Sequence, residues 1–371
     1  MIVFCHLLND NSGSPTVLRE TIKALSHAGP DDLLFVGSQG RGVLENAGIP
    51  IRRYWYRRGR FRLITLLTFL TSQYFLYRAL SRARLPGDAI FYVNTLLPFG
   101  AALWAKRNGH IVLYHAHEAT ISPSPLRRFL VNMVEKTAER VLYVSNDHMA
   151  RLPIVRIPGA VVPNPIAPRI AAKGSATPYA PRRTGYFLVL MLASPRDFKG
   201  VHEFLALAEL LMARQDIRFQ LVLNADAAEI ERYLPAASRP HNLEIVPRVD
   251  DPERFYATAD VLLNLTRVDL VVETFGLTLV EAMAFGVPVI APPVGGPAEI
   301  VTHRQEGYCI DSRDGTPLQA AVLELADNPD LAMTMSQAAR NRASEFTFDA
   351  YARKLRRILA EAQDLPTRET Q

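Results

Sequence analysis

Short apolar runs alternate with stretches of helical period along most of this chain. Runs of strand length stand at Ile2–Leu8, Leu33–Val36, Ile90–Val93, Ile111–His115, Arg140–Val144 and Gly159–Val162. Between them, apolar residues recur at three- and four-residue spacing over Ser14–His27, Arg60–Arg84, Phe99–Arg107 and Leu126–Ala138, the period of a helix. This alternation predicts parallel strands joined by crossover helices, a doubly wound α/β sheet. A segment with prolines at 163, 165, 168, 178 and 181 follows, rich in alanine and poor in aromatics, and reads as a linker. The pattern then restarts, with strands at Tyr186–Leu192, Phe219–Leu223, Leu243–Ile245, Val261–Leu265 and Val289–Ala291. Helices are expected between them at Gly200–Arg214, Ala227–Tyr233, Pro252–Ala257, around Glu281 and at Pro297–Val301. The expected organisation is a first domain at 1–165, a linker at 166–184, a second domain at 185–345, a final helix over 346–362 and a polar tail at 363–371.

Length and composition fit that division. At 371 residues, 49% hydrophobic and 21% charged, the chain suits two soluble cores. Only Cys5 and Cys309 are present, far apart, so neither a disulfide scaffold nor a cysteine metal site is expected, and a reducing cytoplasm fits. The N-terminus enters a strand pattern directly, so no secretory signal is expected.

Charge changes the picture more. Residues 1–165 hold 20 Lys and Arg against 10 Asp and Glu, whereas residues 166–371 hold 22 against 27. Arg52, Arg53, Arg57, Arg58, Arg60 and Arg62 fall together among Tyr54, Trp55, Tyr56 and Phe61. The uncharged stretch Leu63–Tyr77 that follows is shorter than the ~18–20 apolar residues of a spanning helix. Two readings stay open for it: a core-packed helix with a solvated basic approach, or docking on an anionic membrane surface through Arg52–Arg62. A nucleic-acid partner is not expected, since no recognised binding motif accompanies the arginines.

The candidate chemistry concentrates between Glu273 and Val294, E-T-F-G-L-T-L-V-E-A-M-A-F-G-V-P-V-I-A-P-P-V. Glu273 stands just ahead of a short apolar helix and Glu281 two turns into it. Amides of Phe275, Gly276 and Leu277 at the helix start, with the helix dipole, favour an anion. Carboxylates accept sugar hydroxyls and the amides cradle phosphate, a combination suited to a nucleotide sugar. Ser194-Pro195-Arg196-Asp197-Phe198-Lys199-Gly200 lies at a strand–helix junction, where Arg196 and Lys199 reach a diphosphate and Gly200 permits a tight entry. In Tyr114-His115-Ala116-His117-Glu118 both histidines share one strand face. Zinc would need a third ligand at recognisable spacing, which the sequence does not offer; a core histidine is the plain alternative. In Asn11-Ser12-Gly13-Ser14-Pro15, Ser14 reads as a helix N-cap. Gly295-Gly296-Pro297 reads as close chain packing, and Ser145-Asn146 as turn chemistry.

The spacing E-x7-E followed by E-A-x-A-x-G-x-P-V resembles the retaining glycosyltransferases of family 4, and the resemblance covers nearly the whole chain. It implies the GT-B fold, two Rossmann-like doubly wound parallel-sheet lobes facing across a cleft, acceptor side first and donor side second, with the last helix returning to the first lobe. By the same resemblance the catalytic residues are Glu273, at hydroxyls of the transferred sugar, His117, near the reacting sugar, and Lys199, at the diphosphate. Donor binding falls to Glu281, on the ribose hydroxyls, to Arg196, Phe275, Gly276 and Leu277, at the diphosphate, to Arg248 and Val249, beside the base, and to Gly13. Family members read G-R-L-x-x-x-K-G where this chain has Ser194 in place of the arginine; Arg196 is the hypothetical substitute. No metal or other cofactor is implied. The implied reaction moves a hexosyl-type sugar, with retention, from a nucleotide-diphosphate sugar to a glycan or lipid-linked acceptor. Its implied setting is cell-surface polysaccharide assembly (lipopolysaccharide or exopolysaccharide), in the cytoplasm or on the inner face of the cytoplasmic membrane. The alternatives are a GT-B nucleotide-sugar epimerase, needing no acceptor, and a non-catalytic nucleotide-sugar-binding protein, which Ser194 favours. No G-x-G-x-x-G follows the first strand, which disfavours a dehydrogenase.

Overall fold

A computed structural model describes residues 1–26, 31–118, 120–249 and 251–364. The chain divides into two compact units, Met1–Pro165 together with the chain from Phe348 onward, and Ile166–Thr347.

The first unit holds strands β1 (Ile2–His6), β2 (Leu33–Gly37), β3 (Ile51–Tyr54), β4 (Ile90–Asn94), β5 (Ile111–His115), β6 (Arg140–Tyr143) and β7 (Gly159–Val161). They form one sheet in the order β3-β2-β1-β4-β5-β6-β7, with every pair parallel. Every residue of β1, β2 and β4 is buried, as expected when both faces of a parallel sheet are covered. Helices Arg62–Ser81, Phe99–Arg107 and Ser124–Thr137 pack on one face. Helices Gly13–Leu25 and Phe348–Gln363 pack on the other. In the last helix Tyr351, Leu355, Ile358 and Ala362 repeat at helical spacing and are buried. The Tyr351 hydroxyl meets that of Thr21 at 2.6 Å, and Arg356 Nε donates to Ala24 O at 3.1 Å.

The second unit holds β8 (Phe187–Ala193), β9 (Ile217–Leu223), β10 (Leu243–Val246), β11 (Val261–Leu263), β12 (Val289–Ala291) and β13 (Gly307–Cys309). Their order is β10-β9-β8-β11-β12-β13, again all parallel. In each sheet the order reverses once, between β1 and β4 and between β8 and β11. Crossover helices leave a crevice at such a point, beyond the carboxyl ends of the strands, where ligands of open α/β sheets bind.

The structure departs from the sequence expectations in several places, among them Ser145-Asn146, where Ser145 caps a helix, Asn146–Arg151, in place of a turn. Strand β3 carries the arginines Arg52 and Arg53 outward and Tyr54 inward, where its hydroxyl donates to His6 O at 2.9 Å. An edge strand tolerates such charge. The segment expected as a linker holds a helix, Pro168–Ala176, with proline in its first turn. Its Ile170 and Gly174 are buried, and Tyr179 Oη and the Arg182 amide both bond Asp260 of the second unit. The first helix is capped from Ser12, not Ser14, and no side chain closes that cap. Beyond β12, strand β13 and helices Gly315–Asp327 and Pro329–Ala343 complete the second unit. His27 and the tail beyond Asp364 lie outside the described residues.

Candidate active site

The second unit builds its site at its own switch point. After β8 the chain runs through Ser194 to a single 3-10 turn at Asp197–Lys199 and then to Gly200. Gly200 has φ +75°, and a Cβ there would stand 2.0 Å from Leu265 O, so only glycine lets this loop pass the end of β11. The close passage brings Lys199 against the loop that follows β11. Lys199 Nζ donates to Glu273 Oε1 at 3.1 Å and Oε2 at 3.2 Å. Glu273 Oε2 also accepts from Thr266 Oγ1 at 2.5 Å and Asn264 Nδ2 at 3.2 Å. Burial pushes the Glu273 carboxyl up, but the Lys199 ammonium and the bonds from Thr266 and Asn264 outweigh it and hold the group below the ordinary carboxylate range. Glu273 is therefore an ionised acceptor, unsuited to donating a proton.

The backbone of Glu273 is fixed as well. Gly296 N donates to Glu273 O at 2.9 Å, and Cβ atoms at Gly295 and Gly296 would lie 2.5 Å from Glu273 O and 2.3 Å from Thr274 O. The Gly295-Gly296-Pro297 turn is thus close packing, as its composition suggests, and its effect is to hold the acid.

Glu281 lies on helix Leu277–Ala284, only 8% exposed, with Oε2 accepting from Tyr256 Oη at 2.8 Å. Burial, then the neighbouring Glu281 carboxylate, raises the Tyr256 phenol well above its ordinary range, so it stays a donor. Phe275 is buried with its ring edge-on to Phe346, Gly276 is the N-cap at φ +108°, and Leu277 is half-buried. The amides at this helix start lack intrahelical partners by geometry. At the helix's other end Arg340 donates to Ala284 O at 3.2 Å and Phe285 O at 2.7 Å, and also to Gly174 O and Thr177 O. A cation at a helix C-terminus also offsets the dipole there.

The remaining expected donor residues of this unit are more peripheral. Arg196 is exposed at the start of the Asp197–Lys199 turn. Arg248 folds back on Asn224, its Nε donating to Oδ1 at 2.7 Å, and Val249 is half-buried. Asn264, Thr266 and Tyr256 carry no motif that marks them in the sequence. The pair Asn264-Leu265-Thr266 just past a strand was the available signal.

The first unit gathers imidazoles at its own switch point. His6 ends β1, Asn94 ends β4, His115 ends β5, His117 follows in the next loop, and His148 lies in the short helix Asn146–Arg151 after β6. His117 Nε2 meets Asn94 Oδ1 at 3.0 Å, and the His115 and His117 rings lie 4.1 Å apart. His148 Nε2 meets Glu118 O at 3.0 Å, while the Glu118 carboxylate accepts from the Leu96 and His117 amides. Burial, above all, lowers His6 and His148 to about 4 and His115 to about 3. Burial and then His115, His148 and His6 push His117 well below its usual value. Gly13 is exposed at the first turn of its helix, with no atom within 4 Å of where a Cβ would stand, so packing does not require glycine there. Among the described residues no three His, Cys, Asp or Glu side chains are grouped to hold a metal ion.

The family model of glycosyl transferases group 1 matches residues 179–342, which include Lys199, Glu273 and Glu281. Over these residues the chain is similar to that family. Relatives of the chain include a D-inositol 3-phosphate glycosyltransferase of Thermobispora bispora, 31% identical over 151 residues. That match covers 41% of this chain and 32% of the relative. A glycogen synthase of Mycobacterium tuberculosis is 32% identical over 186 residues, 47% of this chain and 43% of that one. The matches thus span less than half the length of these relatives. Among solved structures, Anabaena Alr3699/HepE in complex with UDP and glucose aligns with a TM-score of 0.75 at 18% identity, over 97% of this chain and 99% of that one. Sucrose-phosphate synthase from Thermosynechococcus elongatus aligns at 0.74 and 16%, over 97% and 98%. The fold is therefore GT-B, with two parallel-sheet lobes.

Proposed function

We propose that this chain is a retaining glycosyltransferase that moves a hexosyl-type sugar from a nucleotide-diphosphate sugar to a glycan or lipid-linked acceptor. The observation that carries this reading is the Lys199–Glu273 pair, braced by Asn264 and Thr266, at the switch point of the unit that is similar to glycosyl transferases group 1. In the proposed roles Lys199 and the amides before Leu279 neutralise the diphosphate, with Arg196 entering from the exposed side of the turn. Glu281 takes the ribose hydroxyls beside Tyr256, and the ionised Glu273 takes hydroxyls of the transferred sugar. Arg248 and Val249 would contact the base through their backbone.

A carboxyl held low and occupied by an ammonium cannot serve as the general acid of a glycosidase, which needs a raised one. We therefore assign the acceptor's proton to the departing phosphate, in front-face attack, with the protein contributing orientation and electrostatic stabilisation and no metal. The acceptor is assigned to the first unit, where His117 and Gly13 stand, and the setting to surface-polysaccharide assembly.

A thermal-shift series with UDP, GDP, ADP, CMP and their sugar conjugates tests the donor, since a ligand that binds only the folded state raises the melting temperature. A selective rise with one nucleoside diphosphate, weakened by Glu281→Gln, is expected. Equal donor affinity in the wild type and Glu281→Gln overturns the ribose assignment, and turnover of the donor into an isomeric nucleotide sugar without acceptor replaces transfer by epimerisation.

A further inference from the structure

Helix Arg62–Ser81 of the first unit is apolar on both sides. Its inner face, centred on Phe69, Leu76 and Leu80, is buried in the core of that unit, with Ser72 and Gln73. At about 100° per residue these five positions span an arc of roughly 100°. The opposite arc, roughly 140° wide by the same arithmetic, carries Leu63, Ile64, Leu67, Leu70, Tyr74 and Phe75. Those six side chains are 42% to 68% exposed. The same arc also carries the exposed Thr71 and, one turn beyond Phe75, the exposed Arg78. Single exposed apolar residues are ordinary, but six in one stripe over residues 63–75, with no charge before Arg78, mark a covered surface. No helix among the described residues is long and apolar enough to cross a membrane, so this face is covered in another way.

The approach to the helix says by what. Arg53 pairs with Glu45, but among the described residues none of Arg52, Arg57, Arg58, Arg60 and Arg62 joins an ion pair, and all five are exposed. Residues 46–87 hold nine arginines and no carboxylate. Arg57, Arg58 and Arg60, with Trp55 and Ile64, line a depression of about 560 Å³. Trp55 is half exposed and its ring lies 5.5 Å from that of Phe75, so the basic rim and the apolar stripe form one continuous surface.

We propose that this surface docks on an anionic bilayer. The helix lies in the interface plane with its Leu63-to-Phe75 face among the acyl chains, and Arg57, Arg58 and Arg60 hold lipid phosphates at the depression. A second copy would set the same uncompensated arginines against each other, and an apolar protein partner would leave them unpaired. The proposal is independent of the reaction the chain performs.

Co-sedimentation of the full chain with phosphatidylcholine vesicles, with and without phosphatidylglycerol, tests it. Binding is expected only with phosphatidylglycerol and is expected to weaken with salt. Each basic side chain at the surface is worth roughly fivefold in partition, so Arg57→Gln with Arg58→Gln and Arg60→Gln lowers it about a hundredfold. Leu67→Ser with Leu70→Ser lowers it about tenfold or more. Both variants remove exposed side chains and keep the wild-type melting temperature, which separates lost docking from lost folding. Failure of the wild-type chain to sediment with the anionic vesicles overturns the proposal, as does unchanged partition of both variants. A dimer in light scattering that Leu67→Ser abolishes overturns it too, and assigns the face to a second copy.

Discussion

Four histidines at the first unit's switch point make that unit acid-labile. His6, His115 and His148 are at most 2% exposed and titrate at about 4, 3 and 4, against 6.5 when free; His117 is displaced the same way. The unfolded chain therefore takes up protons near pH 6.5 that the folded unit refuses until about pH 4. Their contribution to stability is complete above about pH 7 and falls as pH drops through that window. Each unpaired proton changes stability by about 1.4 kcal/mol per pH unit, so each buried histidine costs about 2 kcal/mol at pH 5. Three such groups remove about 6 kcal/mol, comparable to the whole stability of a typical domain. Glu118 acts in the opposite sense, because burial raises its carboxyl and protonation on acidification favours the folded form, so it offsets part of the loss. The second unit has only the exposed His202, His241 and His303, and its buried Asp260, raised to about 6, gains relative stability on acidification. Hydrogen exchange read peptide by peptide from pH 7.5 to 5, corrected for intrinsic rates, checks this. Peptides of β1, β4 and β5 are expected to lose protection below pH 6 while those of β8, β9 and β11 keep it. His148→Gln, which retains a donor toward Glu118 O, should flatten the dependence by about one proton. Equal loss in both units, or none in either, refutes the argument from burial.

Three further outcomes follow from the second unit. Lys199→Ala is expected to lower kcat about 10²–10³-fold with a smaller change in donor affinity; it also leaves burial of Glu273 opposed only by the bonds from Thr266 and Asn264, so the acid limb of the rate profile moves to higher pH, which a pH series on the variant reads. Gly200→Ala forces a Cβ into Leu265 O at positive φ and is expected to cost at least about 2 kcal/mol in a denaturant melt while abolishing the nucleotide-induced thermal shift. Arg340→Leu removes the guanidinium from the carbonyls of Thr177, Ala284 and Phe285, while Gly174 O keeps the Thr177 amide, and is expected to cost about 3 kcal/mol and to weaken nucleotide binding through the Glu281 helix; an unchanged melt would show those carbonyls satisfied otherwise.

What could be seen in the sequence follows from how each feature is encoded. Parallel strands buried on both faces are apolar runs, so β1, β4 and β5 are visible in composition alone. Edge strands are not: β3 is half arginine, and β13 is three residues long, its Gly307 lying against Val289 O. Prolines at 165 and 168 mark a break or a helix start equally well, and only the contact of Gly174 with Ala284 decides for a packed helix. The spacing of Glu273 and Glu281 placed both acids correctly on a loop and a helix. It could not show that one is held by Lys199, 74 positions earlier, or that the other faces Tyr256, 25 positions earlier. Such partners are brought together by strand order, because β8 and β11 are neighbours in space and far apart in sequence. The same adjacency delivers His6 to Asn94 across β1 and β4. In this chain the individual reactive groups are local in sequence, whereas the fields that set their protonation are a property of where the sheet reverses.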